Sequence, residues 1–168
     1  MSKARARATH STPPARRAAA AAPRDWLRWG SLALAVLGAL DSAYLTYVKL
    51  FNAPIICGPS AACETVNTSA FSEFQGIPIA VLGLGAYMVL IGLLLLEKRA
   101  LFLATWGPVA VFGLALTGTL YSAYLTYVEL YILHAVCPYC VASALFIAGL
   151  LVLSVIRLAR GPAEPLDD

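Results

Sequence analysis

Four long stretches of the chain are almost wholly apolar, and shorter polar segments separate them. They run from about Trp26 to Phe51, from Ile77 to Leu96, from Leu101 to Leu133 and from Pro138 to Leu158. A helix needs about 20 residues to cross the hydrocarbon core of a bilayer, and each stretch is long enough. Because lipid offers no partner to unpaired backbone groups, each stretch should be helical. The pattern predicts an all-α integral membrane protein built as a four-transmembrane-helix bundle.

The composition agrees with this fold class. Of the 168 residues, 60% are hydrophobic and only 12% are charged, whereas about a quarter of an ordinary soluble domain is charged. The mean hydropathy is +0.77. A soluble globule is therefore excluded. The third stretch exceeds the length that a span needs, and Gly107-Pro108 predicts either a kink in it or its true start.

The basic residues indicate how the bundle is oriented. Eleven of the twelve Lys and Arg residues precede or open the first span, lie between the second and third, or close the fourth, whereas Lys49 falls on the other side. By the positive-inside rule both termini are cytoplasmic, and the segments at about 52–76 and 131–137 face outward. The pI near 8.7 therefore reflects topology, and we expect no nucleic-acid partner.

The two ends of the chain are polar and differ from the membrane domain. Residues 1–25 form a basic run rich in Ala, Arg, Pro, Ser and Thr, which we expect to be a disordered cytoplasmic tail. The alternative is an organelle-targeting leader. The membrane domain then covers residues 26–160, and residues 161–168 form a second cytoplasmic tail.

A seven-residue repeat relates the two halves of the chain. The sequence Ser-Ala-Tyr-Leu-Thr-Tyr-Val occurs at 42–48 and again at 122–128, and the same offset of 80 carries Cys57 onto Cys137. The first and third spans run in the same direction, so the halves form a parallel repeat about an axis along the membrane normal. We interpret the repeated tyrosines as packing and interface residues rather than as substrate contacts. These are Tyr44, Tyr47, Tyr124 and Tyr127.

All four cysteines fall on the predicted outer side, as two pairs. Cys57 and Cys63 lie in the first outer loop, and Cys137 and Cys140 form a Cys-Pro-Tyr-Cys motif at the start of the fourth span. Pro138 suits the first position of a helix, so Cys137 should cap that helix and Cys140 should lie on its first turn. The helix dipole there stabilises a thiolate, the species that attacks disulfides or an electron-poor ring.

A redox relay through these cysteines is the interpretation that we favour, and other functions compete with it. Two structural disulfides could clamp the outer loops of a non-catalytic membrane protein. A four-Cys zinc site is disfavoured by the oxidising outer face and by the five residues between Cys57 and Cys63. A small transporter is disfavoured because the spans lack paired charges and broken helices around a polar midplane.

The chain resembles the vitamin K epoxide reductase family in its bacterial quinone-linked form, over about residues 30–158. The resemblance lies in the loop cysteine pair, in Cys-Glu-Thr-Val-Asn-Thr-Ser at 63–69, in Phe-Gln-Gly-Ile-Pro at 74–78 and in Cys-Pro-Tyr-Cys at 137–140. The other four-helix quinone-linked thiol oxidases, of the DsbB type, carry Cys-x-x-Cys in the first outer loop. Here the motif follows the second outer loop, which argues against that family.

The resemblance implies a mechanism and partners. Electrons would enter from a thioredoxin-fold (DsbA-like) protein at Cys57 and Cys63 and pass from Cys63 to Cys137 through a transient disulfide. Cys140 would then reduce a membrane quinone, either menaquinone or ubiquinone, with no metal involved. The protein would lie in the bacterial inner membrane and support disulfide formation in exported proteins. Recycling of a quinone or of vitamin K epoxide is the alternative role.

The resemblance also suggests residues beside the cysteines. Ser69 matches a family serine at the quinone site, and capping of a short amphipathic segment is its other explanation. Phe71 would wall the site. Vertebrate members place a Tyr where this chain has Ala144, so we do not infer vitamin K epoxide as substrate. Many bacterial members continue into a fused thioredoxin domain, and since this chain ends at Asp168 we expect a separate partner protein.

Two further polar residues are candidates for proton transfer. Asp41 lies within the first span, where a carboxylate is either functional or a hydrogen-bonded packing group. His134, three residues before Cys137, could tune that thiol or shuttle a proton, or it could be a solvated loop residue. Glu64 and Glu73 are expected to be surface charges on the outer loop.

Overall fold

The structure, a computed structural model, describes residues 24–57, 62–97 and 101–160. The predicted tails, apart from the last residues of the first, lie outside the described residues, as do Lys98 and Arg99 between the second and third spans. Along the described chain there are five α-helices, a 3₁₀ turn, a small hairpin and a π-helical turn. In order they are α1 (Arg24–Phe51), α2 (Ala62–Thr68), the 3₁₀ turn (Ala70–Ser72), β1 (Glu73–Phe74), β2 (Ile77–Pro78), α3 (Ile79–Leu96), α4 (Leu101–Val128), the π turn (Glu129–Leu133) and α5 (Pro138–Ala159).

Four of these helices, α1, α3, α4 and α5, are long and apolar enough to cross a membrane. They form a bundle in which α1 packs between α3 and α5, and α4 packs on the same two helices from the opposite side. The centre is filled by small and branched residues, including Ala35, Leu90, Leu94, Val111, Ala115 and Leu150. Many large apolar side chains on the outside are exposed, as lipid-facing positions of a membrane bundle are. The predicted four-helix membrane fold is confirmed.

Small residues let the helices approach closely, which is how membrane helices pack in the absence of a hydrophobic driving force. Gly38 of α1 lies so close to the ring of Tyr87 on α3 that an added Cβ would clash with it. The Tyr87 hydroxyl in turn donates to the Ser143 carbonyl of α5 at 3.0 Å. One tyrosine thus joins three helices.

Ionic contacts join the helices at the end of the bundle that is remote from the cysteines. Arg157 of α5 donates to Glu97, the residue after α3, with Nη2 to Oε1 at 2.7 Å, and both side chains are largely buried. Arg28 of α1 donates through Nε to the carbonyl of Leu94 at 3.1 Å. A largely buried carboxylate is tolerable here because it is paired and hydrogen bonded.

The third span differs slightly from the expected form. Helix α4 begins at Leu101 and continues through Pro108. Beyond Val128 the chain widens into a π turn that ends at His134, whose φ of 50° is left-handed. Such π turns often occur at functional sites. This one sets the position of the segment that leads into the Cys-Pro-Tyr-Cys motif.

The segment between α1 and α3 folds over the cysteine end of the bundle. After α2 and the 3₁₀ turn, β1 and β2 pair antiparallel, with Phe74 opposite Ile77. Gln75 and Gly76 form the turn, with φ values of 53° and 81°, as a two-residue hairpin of this kind requires. Because Ile77 and Pro78 belong to the hairpin, α3 begins at Ile79, two residues later than the apolar pattern predicts.

Lys49, at the end of α1, fastens this loop. Its ammonium donates to the Asn67 carbonyl at 2.7 Å and to the Ser72 hydroxyl at 3.0 Å, and it lies 3.2 Å from the Glu73 carboxylate. Glu73 therefore pairs with a lysine rather than being only a surface charge. Three contacts from one side chain hold the end of α2, the 3₁₀ turn and the hairpin against α1.

Candidate active site

An elongated cavity of about 440 Å³ opens at the cysteine end, between α1, α3, α4 and α5 and beneath the outer loop. Most of its lining is apolar. Its polar groups include cysteines from three separate segments, one from α2, one preceding α5 and one on the first turn of α5. They are Cys63, Cys137 and Cys140. The fold therefore brings one cysteine of the loop pair and both cysteines of the second pair to one chamber, which is large enough for a ring-sized ligand.

The loop pair is oxidised in the structure. Cys57 and Cys63 form a disulfide, with their Cα atoms 5.9 Å apart. Cys63 lies on α2 and is completely buried against the cavity, whereas Cys57 is partly exposed. Gly58 and Pro59, which lie between them in the sequence, are outside the described residues. Of the two sulfurs, that of Cys57 is the more accessible from outside.

Two tyrosines hold the residue that precedes Cys57. The Tyr44 hydroxyl accepts the Ile56 N–H at 3.2 Å, and the Tyr139 hydroxyl donates to the Ile56 carbonyl at 2.8 Å. Their rings also pack together, with centroids 5.1 Å apart. We call these contacts of Tyr44 and Tyr139 with Ile56 the tyrosine clasp. Since Tyr139 lies inside the Cys-Pro-Tyr-Cys motif, the clasp connects the loop disulfide to the start of α5.

The second pair consists of free cysteines, arranged as the motif predicts. Cys137 is the N-terminal cap of α5, Pro138 is the first helical residue, and Cys140 lies on the first turn. The Cys140 thiol hydrogen bonds to the Cys137 sulfur and lowers the pKa of Cys137, and this outweighs the effect of burial. The backbone N–H groups of Cys140 and Tyr139 add to that lowering. Of the two thiols, that of Cys137 is therefore the easier to deprotonate.

Glu129 is a member of this site that the sequence patterns did not single out. It opens the π turn, its side chain is 3% exposed, and its Oε2 accepts the Cys137 N–H at 3.0 Å. The carboxylate is also within hydrogen-bond reach of the Cys140 thiol. The repeat held a signal for it, because Glu129 occupies the position equivalent to Lys49, at the same offset of 80.

Ser69 and Phe71 both lie on the lining of the cavity. The Ser69 hydroxyl donates to the Val66 carbonyl at 2.7 Å, and it makes no side-chain cap to the 3₁₀ turn that follows. Its oxygen therefore retains lone pairs that can accept another hydrogen bond.

Asp41 and His134 do not line this chamber. Asp41 is partly buried within α1, and its Oδ2 is buried with no hydrogen-bond partner among the described residues. His134 is exposed at the end of the π turn.

A model of the vitamin K epoxide reductase family matches residues 29–155, most of the chain. The chain belongs to that family. Membership makes this protein a membrane oxidoreductase, in agreement with the four apolar helices and the cysteine pairs. Within the described ranges, no cluster of three or more His, Cys, Asp and Glu side chains could hold a metal ion.

Proposed function

We propose that this member of the vitamin K epoxide reductase family transfers electrons from the dithiol of a thioredoxin-fold protein to a membrane quinone. The observation that carries the proposal is the meeting of Cys63, Cys137 and Cys140 in one largely apolar chamber. A purely structural loop disulfide would not need two free thiols beside it at a helix N-terminus.

The difference in exposure between the two loop cysteines supports an entry point. Cys57 is partly exposed and Cys63 is completely buried, so a partner's thiolate reaches Cys57 first. Attack on the Cys57 sulfur breaks the loop disulfide and releases Cys63 as a thiolate inside the chamber. The partner's second thiol then displaces Cys57, and the partner leaves as a disulfide.

The same exchange chemistry carries the two electrons inward. The Cys63 thiolate attacks Cys137 in a Cys137–Cys140 disulfide, which forms a Cys63–Cys137 bond and releases Cys140. Cys57 then attacks Cys63, restores the loop disulfide and frees Cys137. The result is an oxidised loop pair beside a reduced Cys-Pro-Tyr-Cys pair, which is the arrangement present in the structure.

The chamber suits a quinone headgroup. Its volume of about 440 Å³ falls in the range of ligand sites, and its lining combines apolar walls with a few hydrogen-bonding groups. Phe71 would lie against the ring, and the Ser69 and Ser72 hydroxyls lie on the same lining. A quinone bound there supplies a two-electron acceptor of higher potential than protein dithiols. Menaquinone and ubiquinone both have this chemistry.

The charge pattern supports a location. With eleven of twelve basic residues on the side away from the cysteines, both termini are cytoplasmic and the cysteines lie on the outer side of a bacterial inner membrane. The outer compartment is the one in which disulfides persist. The oxidised partner would then introduce disulfides into exported proteins.

The test combines turnover with trapping. Purified protein given a short-chain ubiquinone and a reduced DsbA-like protein should oxidise that protein and form quinol, and Cys140→Ser should abolish the reaction. If Cys140→Ser turned over like the wild type, the cysteines would serve only structure and the proposal would be wrong. Glu64→Gln, on an exposed carboxylate of α2, is the control.

Trapping locates the entry point. Cys63→Ala leaves Cys57 free to hold the partner in a stable mixed disulfide, whereas Cys57→Ala leaves only the buried Cys63. We expect non-reducing electrophoresis to show the complex with Cys63→Ala and little with Cys57→Ala. Capture by the second variant alone would reverse the proposed order.

A further inference from the structure

We propose that Glu129 is a catalytic residue of this site, whose carboxylate accepts the proton of the Cys140 thiol when Cys140 is oxidised. The inference rests on the proposed function, because it assigns a proton to the step in which the Cys-Pro-Tyr-Cys pair gives up its electrons. It goes beyond that function by naming a residue for which the cysteine motifs give no role.

The position of Glu129 is what a proton acceptor needs. Its side chain is 3% exposed, lines the same chamber as both cysteines, and has one oxygen 3.0 Å from the Cys137 nitrogen. The Cys140 side chain lies within hydrogen-bond reach of the same carboxylate. A buried carboxylate costs considerable free energy. An acceptor for the Cys137 N–H alone would be supplied as well by a glutamine, so the ionisable group indicates a further role.

The arrangement of the two sulfurs explains why a base is needed at Cys140. The hydrogen bond between the two side chains lowers the pKa of Cys137, so Cys137 loses its proton before Cys140 does. Only the thiolate is a strong nucleophile. For Cys140 to react, its proton has to leave, and Glu129 is the carboxylate that contacts it.

Before the oxidation of the Cys-Pro-Tyr-Cys pair, Cys137 is a thiolate, Cys140 is a thiol and Glu129 is a carboxylate. Oxidation forms the Cys137–Cys140 bond, breaks the Cys140 S–H bond and places that proton on Glu129. The two electrons go to the quinone. Glu129 then returns its proton across the chamber to the reduced acceptor, which takes a second proton from water.

Glu129→Gln separates proton transfer from positioning. The glutamine amide oxygen can still accept the Cys137 N–H, but the side chain cannot take up a proton. We expect quinol formation in a single turnover to slow on the order of 100-fold, the usual contribution of a positioned acid–base group. Formate should partly restore turnover in Glu129→Ala, because a small carboxylate fits the space that the substitution opens. Glu64→Gln, the same change on an exposed carboxylate, should leave turnover unchanged.

A second measurement needs no quinone. In quinone-free protein with a reduced Cys-Pro-Tyr-Cys pair, mass spectrometry can follow the alkylation of Cys140 by N-ethylmaleimide. Glu129→Gln should slow it about tenfold and Glu64→Gln should not. In a Cys57→Ser, Cys140→Ser background, the Cys63–Cys137 disulfide should form equally well with Glu or Gln at position 129, since only geometry is tested.

The outcomes distinguish the two proposals. Wild-type rates of alkylation and turnover in Glu129→Gln would overturn the assignment of Glu129. Loss of the Cys63–Cys137 disulfide in that variant would also overturn it, because the residue would then act by positioning. Failure of the wild-type protein to reduce any quinone would refute the proposed function, and the alkylation of Cys140 would still test the proton acceptor.

Discussion

The two copies of Ser-Ala-Tyr-Leu-Thr-Tyr-Val have the same seven residues and different surroundings. In the copy on α1, the Tyr44 hydroxyl binds the backbone of Ile56 and its ring packs on Tyr139. In the copy on α4, Tyr124 is 51% exposed and its ring packs on that of Tyr121. Identical sequence therefore does not give identical contacts. The neighbouring segment decides whether a repeated side chain has a partner.

The residue that follows each copy of the repeat differs between the two halves, and it makes different contacts in each. Lys49 follows the first copy and fastens the loop that carries Cys57 and Cys63. Glu129 follows the second and binds the start of the Cys-Pro-Tyr-Cys segment. At one equivalent position, a cation stabilises the loop cysteines and an anion contacts the free ones. The duplication thus supplies two equivalent helices, and single differences after the repeat make their functions distinct.

The packing of the helices departs from symmetry in a related way. Helix α1 packs extensively on both of its neighbours, whereas α4 packs much more on α5 than on α3. Residues of α3 and α4 line the chamber along this looser side, among them Tyr87 and Leu114. The weaker contact between α3 and α4 is therefore what leaves room for a ligand between two otherwise equivalent halves.

The largest expected effect comes from giving position 129 the lysine that stands at the equivalent position 49. Glu129→Lys puts an ammonium against the Cys137 N–H, a second donor, in a site that is 3% exposed. We expect a loss of about 3–5 kcal/mol of stability, the usual cost of an uncompensated buried charge. Thermal unfolding in detergent micelles measures it.

The matched variant, Lys49→Glu, reverses the charge at the equivalent position in the first half of the chain. Lys49→Glu faces Glu73 at a partly exposed position, so it should cost only about 1 kcal/mol. Equal losses of stability in Glu129→Lys and Lys49→Glu would contradict the different environments described for positions 129 and 49.

A second pair of variants compares the glycines at equivalent positions, Gly38 and Gly118. A Cβ on Gly38 would clash with the ring of Tyr87, which cannot turn aside because its hydroxyl is bonded to Ser143. A Cβ on Gly118 would lie 2.9 Å from Cγ1 of Ile147, an aliphatic side chain that can adjust. We expect Gly38→Ala to lower the free energy of unfolding by about 1–3 kcal/mol.

Gly118→Ala should come out within about 1 kcal/mol of the wild type, because the gain in helix propensity offsets the contact. Thermal unfolding of both variants in the same detergent checks the prediction. A larger loss for Gly118→Ala than for Gly38→Ala would contradict the packing described for α1 and α3.

The repeated tyrosines give a smaller, local effect. Tyr44→Phe removes the acceptor for the Ile56 N–H beside Cys57, whereas none of the described residues hydrogen bonds to the Tyr124 hydroxyl. Loss of one hydrogen bond should let dithiothreitol reduce the Cys57–Cys63 disulfide about 2- to 10-fold faster in Tyr44→Phe. Tyr124→Phe should behave as the wild type. Equal rates in all three proteins would show that the tyrosine clasp does not hold the loop.

Much of this architecture could be predicted from the sequence. Continuous apolar stretches predict three of the four spans to within about two residues, because helix length in a membrane is set by bilayer thickness. The third span, Trp106–Leu133, begins five residues after the predicted start at Leu101. The Cys-Pro-Tyr-Cys motif placed Cys137 at the cap of α5 and Cys140 on its first turn, since proline favours the first helical position. These features depend on local sequence alone.

The rest depends on contacts between distant segments. The hairpin at 73–78 is too short to show a strand pattern, and the partners of Lys49 lie about 20 residues away along the chain. Glu129 looked unremarkable because its function depends on a π turn that brings it back onto Cys137. Asp41 drew attention as an intramembrane carboxylate, yet the structure leaves it outside the chamber.

The threonines of the repeat provide the finest test of the comparison. Thr126 donates its hydroxyl to the Ser122 carbonyl at 2.9 Å, whereas the hydroxyl of Thr46 is buried without a partner in the described chain. Thr46→Val removes an unsatisfied polar group at little change in shape, so it should raise stability by about 1 kcal/mol. Thr126→Val loses a satisfied bond and should lower stability by about 0.5–1 kcal/mol. Opposite shifts in the unfolding temperatures of the two variants would show that the two repeat copies lie in different environments. Shifts of the same sign would contradict that difference.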